Sequence, residues 1–305
     1  MQPEVISLAD PPVWPRITVV TPSFNQAPYL EATIVSVLGQ CYPNLEYMVM
    51  DGGSTDDSAA IIRKYEPQLA HWVSARDGGQ SAALNTAFAR ATGDILCWVN
   101  SDDLLMPGTL HRLARHFAGR VQEPLLCYGS CLFFEDRGKR AKVVRARPYD
   151  PAHLRLTAYI IQPSAFWTRT LWEKTGPLDG TLSFAFDWDW FIRASALGHF
   201  DSIDEIFALY RLHEAHKSGS GSDRRRREII EVARRYGTPP HASAYEYLDR
   251  HWDSFVKQRE IRNSLKRKRI PGSELFAKLA APMPAPPANV TPDVLKICEG
   301  MLHGS

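Results

Sequence analysis

Two adjacent carboxylates, Asp102 and Asp103, follow the apolar run Ile95-Leu96-Cys97-Trp98-Val99 with only Asn100 and Ser101 between. A short apolar run of this kind reads as a buried strand. In an α/β sheet, ligands bind outside the carboxyl ends of the strands, so the pair falls where a hard cation can bridge protein to phosphate. An isolated Asp-Asp pair is more often the cap of a following helix, here the one after Pro107. Three other polar turns shift that balance: Thr21-Pro22-Ser23-Phe24-Asn25, Asp51-Gly52-Gly53-Ser54-Thr55-Asp56, and Arg76-Asp77-Gly78-Gly79-Gln80-Ser81, with Asn85 one helical turn later. Backbone N–H groups at such turns receive phosphate or nucleoside. Glycines let a ligand approach the backbone, and Asp56 suits a helix cap. Neither a dinucleotide fingerprint nor a phosphate-binding P-loop is present.

The elements that must position these turns alternate. Ile17 to Thr21 reads as a strand, followed by a helical stripe through Leu30, Ile34, Val37 and Leu38 up to Gln40. Strands at 46–50 and 71–74 and helices at about 56–65 and through Leu84, Ala87, Phe88 and Ala91 continue the pattern. After the strand at 95–99, Leu110, Leu113, Ala114 and Phe117 share one helical face. This rhythm predicts an α/β fold, a mostly parallel sheet flanked by helices. Beyond Gly119 the expected elements are strands at 125–128 and 131–134, a charged turn at 135–142, helices at 169–175 and about 187–197, a strand at 207–212, and a polar loop at 213–222. From Asp223 a helical appendage follows, with basic runs at 224–227 and 266–269 and a Pro-rich segment at 282–292.

Composition sets the bounds. The chain has 305 residues, 44% of them hydrophobic, enough for one large domain with an appendage. Thirty-six Lys and Arg against thirty-four Asp and Glu leave a formal charge of +2, which argues against nucleic acid as a partner of the whole molecule. The five cysteines are odd in number and form no Cys-x-x-Cys pair, which points to a reducing compartment without zinc. Residues 1–14 lack the pattern of an export signal, and no apolar run is long enough to span a membrane.

In this order the turns resemble the inverting family 2 glycosyltransferases of GT-A fold, of the kind that build bacterial surface glycans and exopolysaccharides. The resemblance covers about Ile17 to Ser218. It is carried by the segments at 21–25, 51–56 and 91–96 (Ala-Thr-Gly-Asp-Ile-Leu), by Asn100-Ser101-Asp102-Asp103, and by Gln162-Pro163-Ser164, residues 186–193 (Phe-Asp-Trp-Asp-Trp-Phe-Ile-Arg) and Tyr210-Arg211-Leu212-His213. It implies a Rossmann-like GT-A domain at 17–222, with a nucleotide-binding half at about 17–118 and an acceptor half at about 119–222. Residues 1–16 would be an extension, and 223–305 a basic helical one. By resemblance, Thr21, Pro22, Phe24, Asn25 and Asp51 surround base and ribose. Asp77, Asn85, Ser101 and Asp102 complete the nucleotide-sugar site. Asp103, then Asp102, hold Mg²⁺ or Mn²⁺, with His213 as a further ligand or diphosphate contact. Asp187 is the catalytic base.

Two departures stand out. Asp51-Gly52 replaces the Asp-Asp of many relatives, and Asn100 is a weaker cation ligand than the carboxylate often found there. Asp187 and Asp189, two apart on a helix, face different ways, and Asp189 stands four residues before Arg193, as a structural ion pair would. The implied reaction moves a sugar from a nucleoside-diphosphate donor, UDP-linked by expectation, to a glycan or lipid-linked glycan. The expected location is cytoplasmic, with peripheral contact to an anionic inner leaflet through the basic C-terminal extension. The rival readings are a nucleotidyltransferase, which would want a Gly-rich, lysine-bearing loop, and a binding module of the same fold without turnover.

Overall fold

The computed structural model describes residues 13–138, 140–213, 223–267 and 283–303, in two compact units. The larger holds a sheet of nine strands among the described residues, in the order β3-β2-β1-β4-β8-β6-β9-β5, with β7 on β6. β1 (Ile17–Ser23), β2 (Leu45–Asp51), β3 (His71–Ser74) and β4 (Ile95–Trp98) run parallel. Between them lie α1 (Ala27–Leu38), α2 (Ser58–Tyr65) and α3 (Gln80–Arg90), whose apolar stripes meet the sheet. The parallel strands read as continuous apolar runs because both of their faces are covered. In β1, all seven residues are buried. The turns after β1, β2, β3 and β4 therefore share one edge, as the alternation predicts.

The second half departs more from expectation. β6 (Leu125–Glu135) is one strand where two were expected, and β9 (His199–Leu212) extends far upstream of residue 207. The two pair in parallel, with register shifts around Gly129 and Ser130. A Cβ at Gly129 would lie 2.3 Å from the Phe207 ring, so only glycine lets the strands pass there. The upstream part of β9 was hidden by its polar residues, Asp201, Ser202, Asp204 and Glu205, which interrupt the apolar pattern. β8 (Ala165–Thr168) joins β4 to β6 in antiparallel fashion, and β7 (Ala141–Val144) occupies the end of the expected charged turn. The short β5 (Leu104–Leu105) pairs with β9.

Helix α4 (Thr109–Phe117) buries the expected Leu110, Leu113, Ala114 and Phe117, and α5 (Pro151–Leu154) is one short turn. Helix α6 (Arg169–Thr175) starts where Thr168 Oγ1 accepts from Leu171 N at 3.3 Å, a side-chain N-cap. Helix α7 (Phe186–Ser195) is held to the sheet by aromatic rings: Trp190 lies 4.9 Å from Trp167, and Phe186 lies 6.0 Å from Trp98 at the end of β4. Burial of side chains this large contributes roughly 3 kcal/mol each. It fixes the first turn of α7 beside the edge that carries Asp102.

The smaller unit contains α8 (Asp223–Tyr236), α9 (Pro239–Arg250), α10 (Trp252–Arg267) and α11 (Pro292–His303). The first basic run is largely structural. Arg225 donates to the carbonyls of Met301 and Leu302 at 2.9 and 2.6 Å, satisfying the end of α11, while Arg226 stacks 4.4 Å from the Trp252 ring. Both are buried, so half of this run is unavailable to a membrane surface. The second run lies partly outside the described residues, as do 214–222 of the polar loop. No described helix is long and apolar enough to cross a membrane.

Candidate active site

The turn after β4 carries the densest polar network. Asp103 is 1% exposed; its Oδ1 accepts from Arg211 N at 3.1 Å and its Oδ2 from Asn100 Nδ2 at 3.3 Å. Burial, and next the charge of Asp102, push the Asp103 carboxyl well above the usual range; the bonds from Arg211 and Asn100 act the other way. Asp102 differs: its side chain is 18% exposed, and its Oδ2 lies 3.0 Å from His213 Nε2. Tyr29, on α1, packs its ring 4.4 Å from His213. Of the two carboxylates, Asp102 is thus the more accessible, whereas the sequence put Asp103 first. Asp103 is committed to the backbone of β9, and the more accessible Asp102 pairs one carboxylate oxygen with an imidazole nitrogen of His213, whose side chain is 3% exposed. Among the described residues no three His, Cys, Asp or Glu side chains come together as a metal site, so this pair offers two protein donors to a divalent cation such as Mn²⁺ or Mg²⁺, with the remaining positions left to a ligand or water. Ser101 is buried beside them.

The expected nucleoside residues separate into two layers. Phe24 is 59% exposed, and Asn25, exposed at φ 53°, bonds its neighbour turn: Asn25 N donates to Ser54 Oγ at 2.7 Å, and Asn25 Oδ1 accepts from Thr55 N at 2.9 Å. Thr21, Pro22 and Asp51 lie behind them and are buried. Thr21 Oγ1 is 3.0 Å from Tyr47 Oη. Asp51 accepts from Ser54 N at 3.0 Å, from Ser74 Oγ at 2.6 Å and from Ser54 Oγ, which closes its carboxylate within the turns after β2 and β3. Gly53, at φ +80°, makes that turn possible. Asp77 is exposed, and its Oδ1 accepts from Gly79 N at 2.7 Å. The Gly52 departure has a local cause: a Cβ there would stand 3.2 Å from Asp77 Oδ2, so glycine makes room for that carboxylate.

Asn85 takes a different place from the one expected. Its Nδ2 donates to Leu178 O at 3.0 Å and its Oδ1 accepts from Leu178 N at 2.9 Å, so both amide atoms hold the segment that leads to α7. Asp187 is half-buried in the first turn of α7, its Oδ1 accepting from Trp188 N at 2.7 Å. Asp189 points inward and pairs with Arg193 Nε at 2.9 Å, as its spacing predicted. Trp188 Nε1 donates to Leu154 O at 2.7 Å, which braces α7 against α5.

Several site residues had no role assigned from sequence. Gln80 Nε2 donates to Asn100 Oδ1 at 2.8 Å, and Gln162 Nε2 to Trp98 O at 2.8 Å. Gln162 and Arg211 stand inside recognisable segments, so a signal for them existed. Tyr29 lay off the apolar stripe of α1 and carried none.

Parallel strands leading to polar turns, an acidic turn after β4 and a helix presenting a carboxylate beside it make up the arrangement of a GT-A fold. Residues 18–153 match the family model "Glycosyl transferase family 2". An uncharacterized glycosyltransferase of Mycobacterium tuberculosis is 42% identical over 90 residues, 29% of this chain and 34% of that one. A chondroitin synthase of Escherichia coli is 26% identical over 203 residues, 65% of this chain and 29% of the relative. The chain thus spans about a third of the length of these relatives. Among solved structures, a Pyrobaculum calidifontis mannosyltransferase in complex with GDP-Man and Mn²⁺ superimposes with a TM-score of 0.59 at 23% identity, covering 90% of this chain and 81% of that one. S. aureus TarS in complex with UDP-GlcNAc gives 0.56 at 18%, covering 80% and 71%. At these identities the likeness establishes the fold.

Proposed function

We propose that the chain is a metal-dependent, inverting glycosyltransferase that moves a sugar from a nucleoside diphosphate, UDP by preference, to a hydroxyl of a glycan or lipid-linked glycan during polysaccharide or glycoconjugate synthesis. The observation that carries this reading is the Asp102–His213 pair, set on the same sheet edge as the exposed Phe24, Asn25 and Asp77 and beside the first turn of α7. The nucleotide sugars bound by the two solved relatives support the donor class, and the chondroitin synthase supports a glycan product.

Phe24 offers an aromatic face to the base, while Asn25 and Asp77 supply polar contacts at the exposed layer. The buried Thr21, Pro22 and Asp51 hold that layer in shape. Asp102 and His213 would hold a divalent cation, which would supply positive charge against the leaving diphosphate. Asp187 takes the acceptor hydroxyl proton as the oxygen attacks from the face opposite the leaving group, and a single displacement of this kind inverts the anomeric carbon. Membrane contact, where it occurs, is peripheral, and the protein works on the cytoplasmic face.

The test is release of nucleoside diphosphate from a panel of UDP- and GDP-sugars, with Mn²⁺, Mg²⁺ or a chelator, together with the anomeric configuration of the product. Donor turnover that is indifferent to chelation would sink the metal assignment. Release of pyrophosphate from a sugar phosphate and a nucleoside triphosphate would instead favour a nucleotidyltransferase.

A further inference from the structure

Arg211 touches both residues of the acidic pair. Its backbone N–H holds Asp103 Oδ1 at 3.1 Å, and its Nε donates to the Asp102 carbonyl at 3.0 Å. The guanidinium is sandwiched between Tyr29, 5.0 Å away on α1, and Phe134, 4.8 Å away on β6. Its Nη1 reaches Asp136 Oδ1 at 3.1 Å, at the beginning of the β6–β7 turn, where Asp136 N also donates to Leu212 O at 2.8 Å. The side chain is 12% exposed, so this planar group is fixed on both faces and along its edge. Two residues further on, the same strand delivers His213 to Asp102.

We propose that Arg211 is a positioning residue for the cation site, and that Asp136, which is no part of the Asp102–His213 pair, sets the cation affinity by orienting it. The inference rests on the reading of Asp102 and His213 as the cation pair. The Nε bond fixes the main chain of Asp102, and hence the starting point of its side chain. The Nη1 bond to Asp136 fixes the rotation of the guanidinium that makes the Nε bond possible. Charge alone does not explain the arrangement. A lysine at 211 would keep the charge but has neither the planar fork nor the flat faces that fit between Tyr29 and Phe134. Partners behind metal ligands commonly govern affinity by about ten- to a hundredfold.

The experiment is a Mn²⁺ titration of the full-length protein without donor, followed by the electron paramagnetic resonance signal of unbound Mn²⁺, on the wild type and on Arg211→Lys, Asp136→Asn and Asp136→Glu. The expected result is a dissociation constant raised about tenfold in Arg211→Lys and a few-fold in Asp136→Asn, with Asp136→Glu restoring most of the loss. Thermal melts accompany each titration. Should Arg211→Lys fail to fold, Asp136→Asn decides, since it removes no atom that itself touches Asp102 or His213. Wild-type affinity in a folded Asp136→Asn and Arg211→Lys overturns the inference while leaving the cation pair standing. A wild type that binds no Mn²⁺ removes the cation pair and the inference with it.

Discussion

Asn100 donates through Nδ2 to Asp103 Oδ2 at 3.3 Å, and this single bond explains why a neutral amide occupies a position where relatives often have a carboxylate. Its Oδ1 is meanwhile occupied by Gln80 Nε2 at 2.8 Å. An aspartate at 100 would set oxygen against oxygen beside an already buried acid. We expect Asn100→Asp to destabilise the protein by roughly 1–3 kcal/mol at neutral pH, with the deficit shrinking in acid as one of the two carboxyls takes a proton. Denaturant unfolding across pH checks this; equal stability at pH 7 would show that the amide is not needed as a donor.

Replacing Asp187 by Asn removes a base and keeps the shape. The predicted outcome is a loss of transfer of at least about 10²-fold, with donor affinity, measured by calorimetry, within a factor of about two. A comparable loss of donor affinity would place Asp187 in donor binding instead.

Glycines 52 and 53 should separate binding from folding. Gly52→Ala presses on Asp77, so weaker donor binding is expected with little change in melting temperature. Gly53→Ala, at φ +80° with a Cβ 3.0 Å from Arg76 N, should cost about 1–2 kcal/mol of stability. Identical behaviour of the two variants would contradict the close approach of Asp77 to Gly52.

Asp201 gives an acid-stability prediction far from the chemistry. Burial raises its carboxyl, but His116 at 2.9 Å and Arg120 at 2.9 Å outweigh that and hold it below the usual value. A carboxyl with a lowered native pKa contributes its stability in full above the unfolded value of roughly 3.9 and loses it as pH falls through the native one. The wild type should therefore lose stability steeply below about pH 4. Asp201→Asn should be less stable at pH 7 by about 2–4 kcal/mol and show a shallower acid limb. Parallel acid limbs in wild type and variant would exclude Asp201 as the source.

The first half, up to about residue 118, was legible because its chemistry and its periodicity coincide: apolar strands end in polar turns, and the ends of β1 to β4 can be read residue by residue. The half that follows hid its strands. β9 carries Asp201, Ser202, Asp204 and Glu205 on a strand whose pairing with β6 depends on a bend at Gly129, and no local pattern announces that. Within the site, residue type was readable but burial was not. Asp102 and Asp103 are chemically identical in sequence, and only the passage of β9 alongside Asp103 tells which of them faces outward. Asp51 and Asn85 likewise look like ligand contacts until their partners, Ser54, Ser74 and the Leu178 backbone, are seen to occupy them.

The two-way bond between the Asn85 amide and the Leu178 main chain has a consequence for how such proteins can be recombined. Leu178 meets the amide through its backbone N–H and C=O, so these two bonds between helix α3 and the segment leading to α7 do not depend on the side chain at 178, which is itself buried at 3% exposure. A chimera cut near Gly119 therefore keeps both bonds wherever the first half keeps an amide at 85 and the second half keeps an apolar residue that fills the buried place at 178. The joint is made through main chain, so it sets where the segment before α7 runs while leaving the rest of that segment's side chains open to change.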